Sequence, residues 1–518
     1  MSDQKASFKN EKELQEKILQ EKARGTSDEE IGRKYGVTFR YIEKLITRTQ
    51  GVNISVLKSL KKVKTLYPKD FKEEQTTVWS FKQRGNWATH SGEYRGNWSP
   101  YIPRNVILKY SKPGEVVLDY FCGAGTTAVE AKLLGRKCIA FDINDRAIEL
   151  AKKNVDFEID LQQYFTFSKD KILSKIYEPE LLVGDARDLS FIETNSIDLI
   201  CAHPPYANII HYTDSKKGDL SFFDIDEFLK EMAKVAKESF RVLKPGRQCA
   251  ILIGDLRRKK HVIPLGFKLI KVYLAAGFKL RELIIKRQHN CKTTGFWYEK
   301  STKYNFLLLA HEYLPIFEKP GSLSFPTIRE ESSEYSLISP ILERPPIKKK
   351  LDQLETTTVW ILPEEDFEER LNKNVIDRYS NGDGYLTVAF TSNFKSKEDL
   401  EENKKKRGLL FIKSPFLNNY PSYTNIKSYL QGIKKVINQN LPKITKDGFV
   451  VIQTRDVRIN RYIEPLAKEI TETLSSNNNL WLKEVVVITI EGENFQNQIS
   501  KDYLRIVHQY LLVYEVVK

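Results

Sequence analysis

The chain has 518 residues, 41% hydrophobic and 29% charged, and is long enough for several folded domains. Lys and Arg outnumber Asp and Glu by 83 to 68. This excess is typical of proteins that meet polyanions, although a generically Lys-rich composition would give it too. The sequence has neither an apolar run of roughly 20 residues nor an apolar leader, so we expect no membrane span and no signal peptide. The five cysteines lack paired spacing, which predicts a cytoplasmic protein with neither disulfides nor a metal site.

Residues 1–70 are rich in Lys and Glu and are predicted to be helical. Within them, Ser27 can cap a helix and Gly36 can supply the left-handed residue of a helix-turn-helix. The second helix would then present Arg40 and Lys44 to DNA. The alternative is a helical hairpin that binds protein or only packs.

Residues 71–320 alternate between apolar strand-like runs and amphipathic helical stretches. That alternation predicts an α/β domain, a mostly parallel sheet with helices on both faces. Residues 321–358 contain prolines, serines and "ERPPIKKK", and are predicted to be a linker.

The C-terminal domain, residues 359–518, repeats the first domain in shortened form. Three pairs of segments match in the same order: 105–121 with 374–390, 254–265 with 455–466, and 309–319 with 506–516. Three ordered matches predict duplication rather than coincidence. The copy has Val388 where the first domain has Asp119, no glycine turn, and "SPF" near residue 415. We expect it to be non-catalytic and to pack against the first domain, giving a monomer or a pseudo-dimer.

The stretch "VVLDYFCGAGTTAVEA" contains a strand, a glycine turn and the start of a helix. Gly123 and Gly125 let the backbone approach a ligand, and the helix at Thr126 and Thr127 offers free N–H groups. Alone, this pattern also fits a dinucleotide-binding turn or a turn that binds nothing.

Three aspartates at successive strand ends narrow the choice of ligand. Asp119 can face a cationic amino-acid group, Asp142 can accept from ribose hydroxyls, and Asp185 can accept from an adenine amine. Such a ligand is S-adenosylmethionine rather than a dinucleotide.

The next strand end is followed by His203, Pro204, Pro205 and Tyr206. With this loop in view, residues 100–320 resemble the amino-methyltransferases that modify DNA at adenine N6 or cytosine N4. Their cofactor motif resembles "DYFCGAGTT", which includes Phe121, and their catalytic motif is Asp-, Asn- or Ser-Pro-Pro followed by an aromatic residue. Cytosine C5 methyltransferases need a Pro-Cys nucleophile, and no cysteine here follows a proline.

The resemblance implies a role for each residue of the loop. His203 and the carbonyl of Pro204 would accept from the two N–H groups of an exocyclic amine, and Pro205 would fix the direction of that carbonyl. Tyr206 would stack on a base flipped out of the duplex. Histidine departs from the family motif but keeps one acceptor nitrogen when neutral, so activity should fall as the pH falls through about 6.5. Alternatively, His203 only braces the loop.

Two further segments are candidates for DNA contact. Arg257 and Arg258 belong to a basic cluster suited to phosphates, and Arg287, His289 and Asn290 open a polar, aromatic loop that could read base edges. Both segments could instead be solvated loops. The segment 83–100 repeats Arg-Gly-Asn-Trp and could be a lid over cofactor or target.

The resemblance implies a site-specific methyltransferase that uses S-adenosylmethionine and acts on double-stranded DNA by base flipping. Cytosine N4 is favoured over adenine N6, and a restriction-modification system with a cognate endonuclease would be the context. Two alternatives stay open: an RNA base amino-methyltransferase, and a non-catalytic DNA-binding regulator on the same fold.

Overall fold

The computed structural model describes residues 11–24, 26–38, 41–42, 45, 63, 65–69, 71–92, 94, 96–159, 175–206, 218–289, 292–321, 336–338, 354–380, 382–391, 406–417, 422–490 and 502–517. Two large mixed sheets, each flanked by helices, make up most of this structure. They confirm the predicted α/β fold class with a second, shortened domain.

The first domain contains an eight-stranded sheet in the order β1-β9-β10-β6-β5-β2-β3-β4. Its strands, with the hairpin β7–β8, are β1 (Val78–Ser80), β2 (Val116–Asp119), β3 (Lys137–Asp142), β4 (Glu180–Val183), β5 (Ile197–Ala202), β6 (Leu243–Ile251), β7 (Leu256–Arg258), β8 (His261–Ile263), β9 (Lys279–Arg287) and β10 (His311–Glu318). Only β10 runs antiparallel to its neighbours in the sheet. Every residue of β5 is buried, as expected for a strand covered on both faces.

Helices cover the first sheet and open the chain. They are α1 (Glu11–Ala23), α2 (Asp28–Tyr35), α3 (Tyr101–Tyr110), α4 (Thr126–Leu133), α5 (Asp145–Val155), α6 (Ile225–Val242), α7 (Leu265–Ala275) and α8 (Lys292–Lys303). Helix α8 lies where the sequence predicted a loop between two strands, so that expectation was wrong. Its polar and aromatic residues follow strand β9 within a few positions and show no apolar helical pattern, so the start of the helix could not be recognised in the sequence.

The second domain contains a seven-stranded sheet in the order β11-β13-β14-β15-β19-β18-β12. Its elements are β11 (Ser336–Ile338), β12 (Val359–Leu362), α9 (Phe367–Tyr379), β13 (Tyr385–Thr391), β14 (Arg407–Lys413), α10 (Tyr423–Asn440), β15 (Ile444–Thr454), β16 (Val457–Ile459), β17 (Tyr462–Glu464), α11 (Leu466–Leu474), β18 (Leu480–Ile490) and β19 (His508–Val516).

The two sheets correspond strand by strand. Taken from the edges β1 and β12, the order β1-β9-β10-β6-β5-β2 matches β12-β18-β19-β15-β14-β13, with matching directions. In the described part of the second sheet, β3 and β4 have no counterpart, and β11 pairs antiparallel with β13 instead. The two missing strands carry Asp142 and lead to Asp185 in the first domain. The second domain therefore keeps the framework without that half of the cofactor site.

The domains pack through a reciprocal interface. Arg257 of β7 donates to Glu484 of β18 at 2.5 Å, and Arg458 of β16 donates to Glu282 of β9 at 2.5 Å. The assignment of Arg257 to DNA phosphates was therefore wrong, because its guanidinium also donates to two carbonyls at this interface. Each domain thus gives an arginine to a glutamate of the other, as the two subunits do in an isologous dimer interface.

Short threonine segments lock the ends of the two domains together. Thr77 Oγ1 bonds to Nδ1 of His508 at 2.8 Å, and Thr358 Oγ1 bonds to Nδ1 of His311 at 2.9 Å. Each bond joins one domain to the other. A further repeat, "TTVW" at 76–79 and 357–360, accounts for this symmetry and was missed in the sequence. Ser336–Ile338 and Thr358 thus take part in the structure of the second domain, although the sequence placed them in a linker. The point at which each domain begins and ends stays a prediction.

The N-terminal helices agree with part of the sequence prediction. Ser27 and Glu30 form a capping box on α2, and Gly36 has φ 65°. Arg40 and Lys44 lie outside the described residues, so the DNA-docking role of this region stays a prediction. No helix among the described residues is long and apolar enough to cross a membrane.

Candidate active site

The glycine turn between β2 and α4 forms the floor of a cleft at the carboxyl edge of the first sheet. Gly123 and Gly125 have φ values of 48° and 79°, which glycine tolerates best. A β-carbon at Gly123 would lie 2.8 Å from the ring of Tyr94, and one at Gly125 would lie 3.0 Å from Ala151. Residues with a side chain at these two positions would clash with their neighbours, so glycine keeps the space above the turn open.

Two of the predicted carboxylates differ sharply in exposure. Asp142 lines the cleft, and its carboxylate accepts the backbone N–H groups of Gly123 and Asn144 at 2.9 Å each. Asp119 is only 1% exposed and accepts the N–H of Phe121 at 3.0 Å. Burial raises the pKa of Asp119 to about 7. Asp119 therefore lies behind the turn, while Phe121 lines the cleft.

Helix α4 begins directly after this turn. Thr126 and Thr127 are buried at its first positions, and the Thr126 hydroxyl donates to the side chain of Asn97. The structure places both threonines next to the turn rather than on the surface of the cleft.

Asp185 lines the cleft together with Asp142 but is already paired. Arg187 donates Nε to its carboxylate at 2.9 Å and reaches Glu231 with Nη1 at 2.5 Å. The hydrogen bond with Asp185 and the ion pairs raise the pKa of Arg187 above its usual value, although burial opposes this. An adenine amine would share Asp185 with this guanidinium.

Much of the wall of the cleft comes from segment 83–100, which the sequence suggested as a lid without singling out individual residues. Tyr94, Gly96, Asn97 and Trp98 all line the cleft, as does Asp219 from the loop before α6. Most of these belong to the second Arg-Gly-Asn-Trp repeat, which was the available signal.

The first copy of that repeat is structural. Trp87 donates its indole N–H to Glu130 of α4 at 2.7 Å, and Arg104 of α3 pairs with the same carboxylate at 2.8 Å. The segment 83–100 is thus anchored at one repeat and presents the other to the cleft.

The His203–Tyr206 loop adjoins the cofactor end of the cleft, with His203 and Pro205 in its wall. The ring of Trp98 stacks on the His203 imidazole, with centroids 5.6 Å apart and planes at 20°. His203 Nε2 bonds to the Tyr206 hydroxyl at 2.9 Å, and that hydroxyl donates to Glu312 of β10 at 2.8 Å. Glu312 also pairs with Lys286 of β9 at 2.9 Å.

These surroundings lower the pKa of His203 to about 4. Burial is the main cause, Lys286 and Arg84 also lower it, and Glu312 and the Gly96 backbone oppose them. The imidazole is therefore neutral at pH 7, and it gains its proton well below the pKa of about 6.5 that an unperturbed histidine would have.

The remaining DNA-contact candidates lie on different elements and differ in environment. Arg258 is exposed on β7, and Arg287 is half-buried at the end of β9. His289 Nε2 bonds to Ser80 Oγ at 2.8 Å, and Asn290 lies outside the described residues. Helix α8 follows and exposes Trp297, with the Lys300 ammonium 4.7 Å from its ring.

Comparison with known proteins places these features in a family. A DNA methylase family model matches residues 4–153 and 197–409, and a methyltransferase domain model matches residues 111–263. The chain is 34% identical over 114 residues to a tRNA (guanine(10)-N2)-dimethyltransferase of Methanothermobacter thermautotrophicus, covering 22% of this chain and 29% of that protein.

Restriction-type enzymes match as well. The chain is 33% identical over 88 residues to the type II methyltransferase M.SmaI of Serratia marcescens, covering 17% of this chain and 29% of that protein. It is 27% identical over 284 residues to the type II beta methyltransferase M.BslI of a Bacillus species, covering 50% of this chain and 29% of that protein.

A solved S-adenosylmethionine-dependent methyltransferase of Methanosarcina mazei aligns at 18% identity with a TM-score of 0.28, covering 42% of this chain and 98% of that one. The chain thus spans 29% of the length of each of the three relatives by sequence. Since the DNA methylase family model matches most of the sequence, including the glycine turn and the His203–Tyr206 loop, the chain belongs to the DNA methylase family.

Proposed function

We propose that the protein is a site-specific DNA methyltransferase that transfers a methyl group to an exocyclic base amine. The observation that carries this proposal is that one cleft is lined by both the glycine turn and the Pro-Pro loop. The family's cofactor motif and its catalytic motif therefore act on the same bound ligands.

The cofactor is S-adenosylmethionine, whose sulfonium supplies an electrophilic methyl group. The open space above Gly123 and the carboxylates of the cleft fit its parts. Asp142 would accept from the ribose hydroxyls, Asp185 would accept from the adenine amine, and Asp119 would act on the amino-acid end from behind the turn.

The target amine would bind beside His203. Its lone pair is delocalised into the base, and acceptors on its N–H groups localise it toward the methyl donor. Neutral His203 supplies one acceptor and the Pro204 carbonyl the other, while Pro205 restricts the loop backbone. Tyr206 would contact the flipped base. Much of the rate would come from holding these groups in line.

Double-stranded DNA is the proposed partner. The net charge of +15 favours a polyanion. Candidate contacts are Arg258 on β7, Arg287 at the end of β9, and the exposed aromatic and basic residues of α8. We propose cytosine N4 as the target rather than adenine N6, in the cytoplasm and within a restriction-modification system that has a cognate endonuclease.

RNA is the second candidate substrate. The observation in its favour is the 34% identity to a tRNA (guanine(10)-N2)-dimethyltransferase. The same amine-activating loop would serve a guanine N2 amine.

Two measurements decide between these functions. The gene is expressed in a host that lacks DNA methylation, and the host DNA is sequenced with single-molecule detection of modified bases. In parallel, purified protein is given labelled S-adenosylmethionine with duplex DNA or with tRNA. We expect one methylated DNA motif and label in DNA. Label in tRNA alone would establish the second candidate, and failure to bind S-adenosylmethionine by calorimetry would point to a non-catalytic regulator.

A further inference from the structure

Four side chains form a continuous polar chain beneath the Pro-Pro loop. Lys286 Nζ contacts Glu312 Oε2 at 2.9 Å, Tyr206 donates to Glu312 Oε1 at 2.8 Å, and the Tyr206 oxygen lies 2.9 Å from His203 Nε2. Glu312 is 7% exposed, so this carboxylate is held away from solvent.

The protons available to these four side chains determine which nitrogen of the His203 imidazole is protonated. Burial favours the neutral form of Glu312, but the Lys286 ammonium, the charge that His203 carries at acid pH, and the hydrogen bonds from Lys286 and Tyr206 outweigh it and hold the pKa of Glu312 at about 2. The ionised carboxylate can only accept, so Tyr206 donates its single proton to it. The Tyr206 oxygen must then accept from His203, which puts the imidazole proton on Nε2. The lone pair that can accept from a ligand is therefore on Nδ1.

The second domain provides an internal comparison, because strand registers align the two copies. Lys286 faces Glu312 across β9 and β10, and Ile488 faces Gln509 across β18 and β19 at the corresponding place. Two members of the polar chain are thus replaced by residues that carry no charge.

The loop end has changed in the same way. Ala202 pairs with Ile251, and Ile412 pairs with Ile452, so Lys413, the last residue of β14, corresponds to His203. Three residues later, Phe416 replaces Tyr206 and removes the hydroxyl.

A neighbouring series of buried hydrogen-bonded residues is present in both domains. His311, Tyr313 and Asp255 form a hydrogen-bonded series, and His508, Tyr510 and Asp456 occupy the same places in the second domain. The polar chain below the loop was lost together with the strands of the cofactor site. Its four members are thus present in the copy that has the whole glycine-turn cleft and are replaced in the copy that lacks it.

We propose that Glu312 is a positioning residue that fixes the tautomer of His203, through Tyr206, so that Nδ1 accepts from the target amine. The proposal rests on the function proposed above and adds a residue to that site. The other groups that face His203 are Lys286, Arg84, the Gly96 backbone and the Trp98 ring. The Gly96 backbone hydrogen-bonds to the ring and favours its protonated form, so it competes for the imidazole proton. Glu312 is the group that accepts from Tyr206 and so keeps the proton of the neutral ring on Nε2.

The test replaces Glu312 by the residue that the second copy carries at the same place. In Glu312→Gln, Tyr206 is free to donate to Nε2, which moves the imidazole proton to Nδ1 and blocks the acceptor. We expect the single-turnover rate of methyl transfer to fall at least about tenfold. The dissociation constant for S-adenosylmethionine should stay unchanged. Gln509→Glu, the reverse change in the second copy, is the matched control and should leave the rate unchanged.

A spectroscopic measurement separates positioning from a general structural effect. Long-range nitrogen–proton spectra of histidine-labelled protein, assigned with His203→Asn, should show the Nε2–H tautomer in the unaltered protein and a shift toward Nδ1–H in Glu312→Gln. Tyr206→Phe, which removes the hydroxyl but keeps the ring, should also lose the fixed tautomer. Tyr206→Phe replaces Glu312→Gln as the test variant if Glu312→Gln does not fold.

Two results would overturn the proposal: an Nδ1–H tautomer in the unaltered protein, or an unchanged rate and tautomer in Glu312→Gln. If the unaltered protein methylates neither DNA nor RNA, the proposed function fails, and the tautomer measurement still decides the role of Glu312.

Discussion

Asp142 and His203 show how neighbouring groups decide what a single side chain can do. Asp142 holds the glycine turn through two backbone N–H groups and still faces the cleft. His203 is kept neutral by burial and by nearby cations. Both residues were named from sequence, but their partners were not.

The first prediction concerns the cofactor. Asp142→Asn removes the charge that would accept from two ribose hydroxyls, and hydrogen bonds to a charged group contribute about 1.5–3 kcal/mol each. We expect the dissociation constant for S-adenosylmethionine, measured by calorimetry, to rise by about 10- to 100-fold. Asp188→Asn, in an exposed acid outside the lining of the cleft, is the control. Unchanged affinity in Asp142→Asn would exclude the ribose role.

The second prediction concerns pH. The acceptor form of His203 is the neutral one, present above its pKa of about 4 and lost below it. The single-turnover rate should therefore stay level from pH 8 to pH 5 and fall as the pH approaches 4. His203→Asn, which restores a residue of the family motif, should transfer methyl groups without this fall. A midpoint near pH 6.5 in the unaltered protein would contradict the burial of the imidazole.

At the scale of elements, the hairpins β7–β8 and β16–β17 hold the two domains together. Each inserts an arginine beside a buried glutamate of the other domain, with Glu484 and Glu282 at 1% and 0% side-chain exposure. Breaking a buried ion pair leaves one charge uncompensated, whereas a surface pair contributes little.

The third prediction follows from this symmetry. Arg257→Ala and Arg458→Ala should each lower the free energy of unfolding, measured by urea denaturation, by about 3–5 kcal/mol. Lys271→Ala is the control, because that lysine is 66% exposed and lies 3.6 Å from Glu472; its cost should be at most about 1 kcal/mol. A large loss in one arginine variant only would show that the two pairs are not equivalent.

At the scale of the whole molecule, the shortened second domain supplies hydrogen-bond and ion-pair partners to buried groups of the first domain. Glu318 of β10 is 1% exposed and receives Arg461 and Tyr462 of the second domain at 2.8 and 2.9 Å. Thr77 likewise finds its partner in His508. The first domain alone would expose these groups and would leave Glu318 with Arg281 and Gln248 as its side-chain partners.

The fourth prediction is that residues 1–320 expressed alone aggregate, because carboxylates buried at the interface lose their cations. Supplying residues 336–518 from a second plasmid should restore soluble protein that co-purifies as a complex. Solubility is measured by size-exclusion chromatography and activity by methyl transfer to DNA. A fragment of residues 1–320 with full activity and site specificity would show that the second domain has no such role.

Local patterns were enough to predict the parallel sheet, the turn at Gly123 and Gly125 and the Pro204–Pro205 loop, since each depends on residues close in sequence. The capping of α2 by Ser27 followed for the same reason. The duplication was predicted by comparing distant segments of the same chain. The tertiary structure alone decided that Arg257 binds Glu484 rather than DNA, that Trp98 stacks on His203, and that Glu312 lies under Tyr206. These contacts join residues far apart in the chain. Strand register and domain packing bring these residues together, and neither can be predicted from the residue spacing within a single motif.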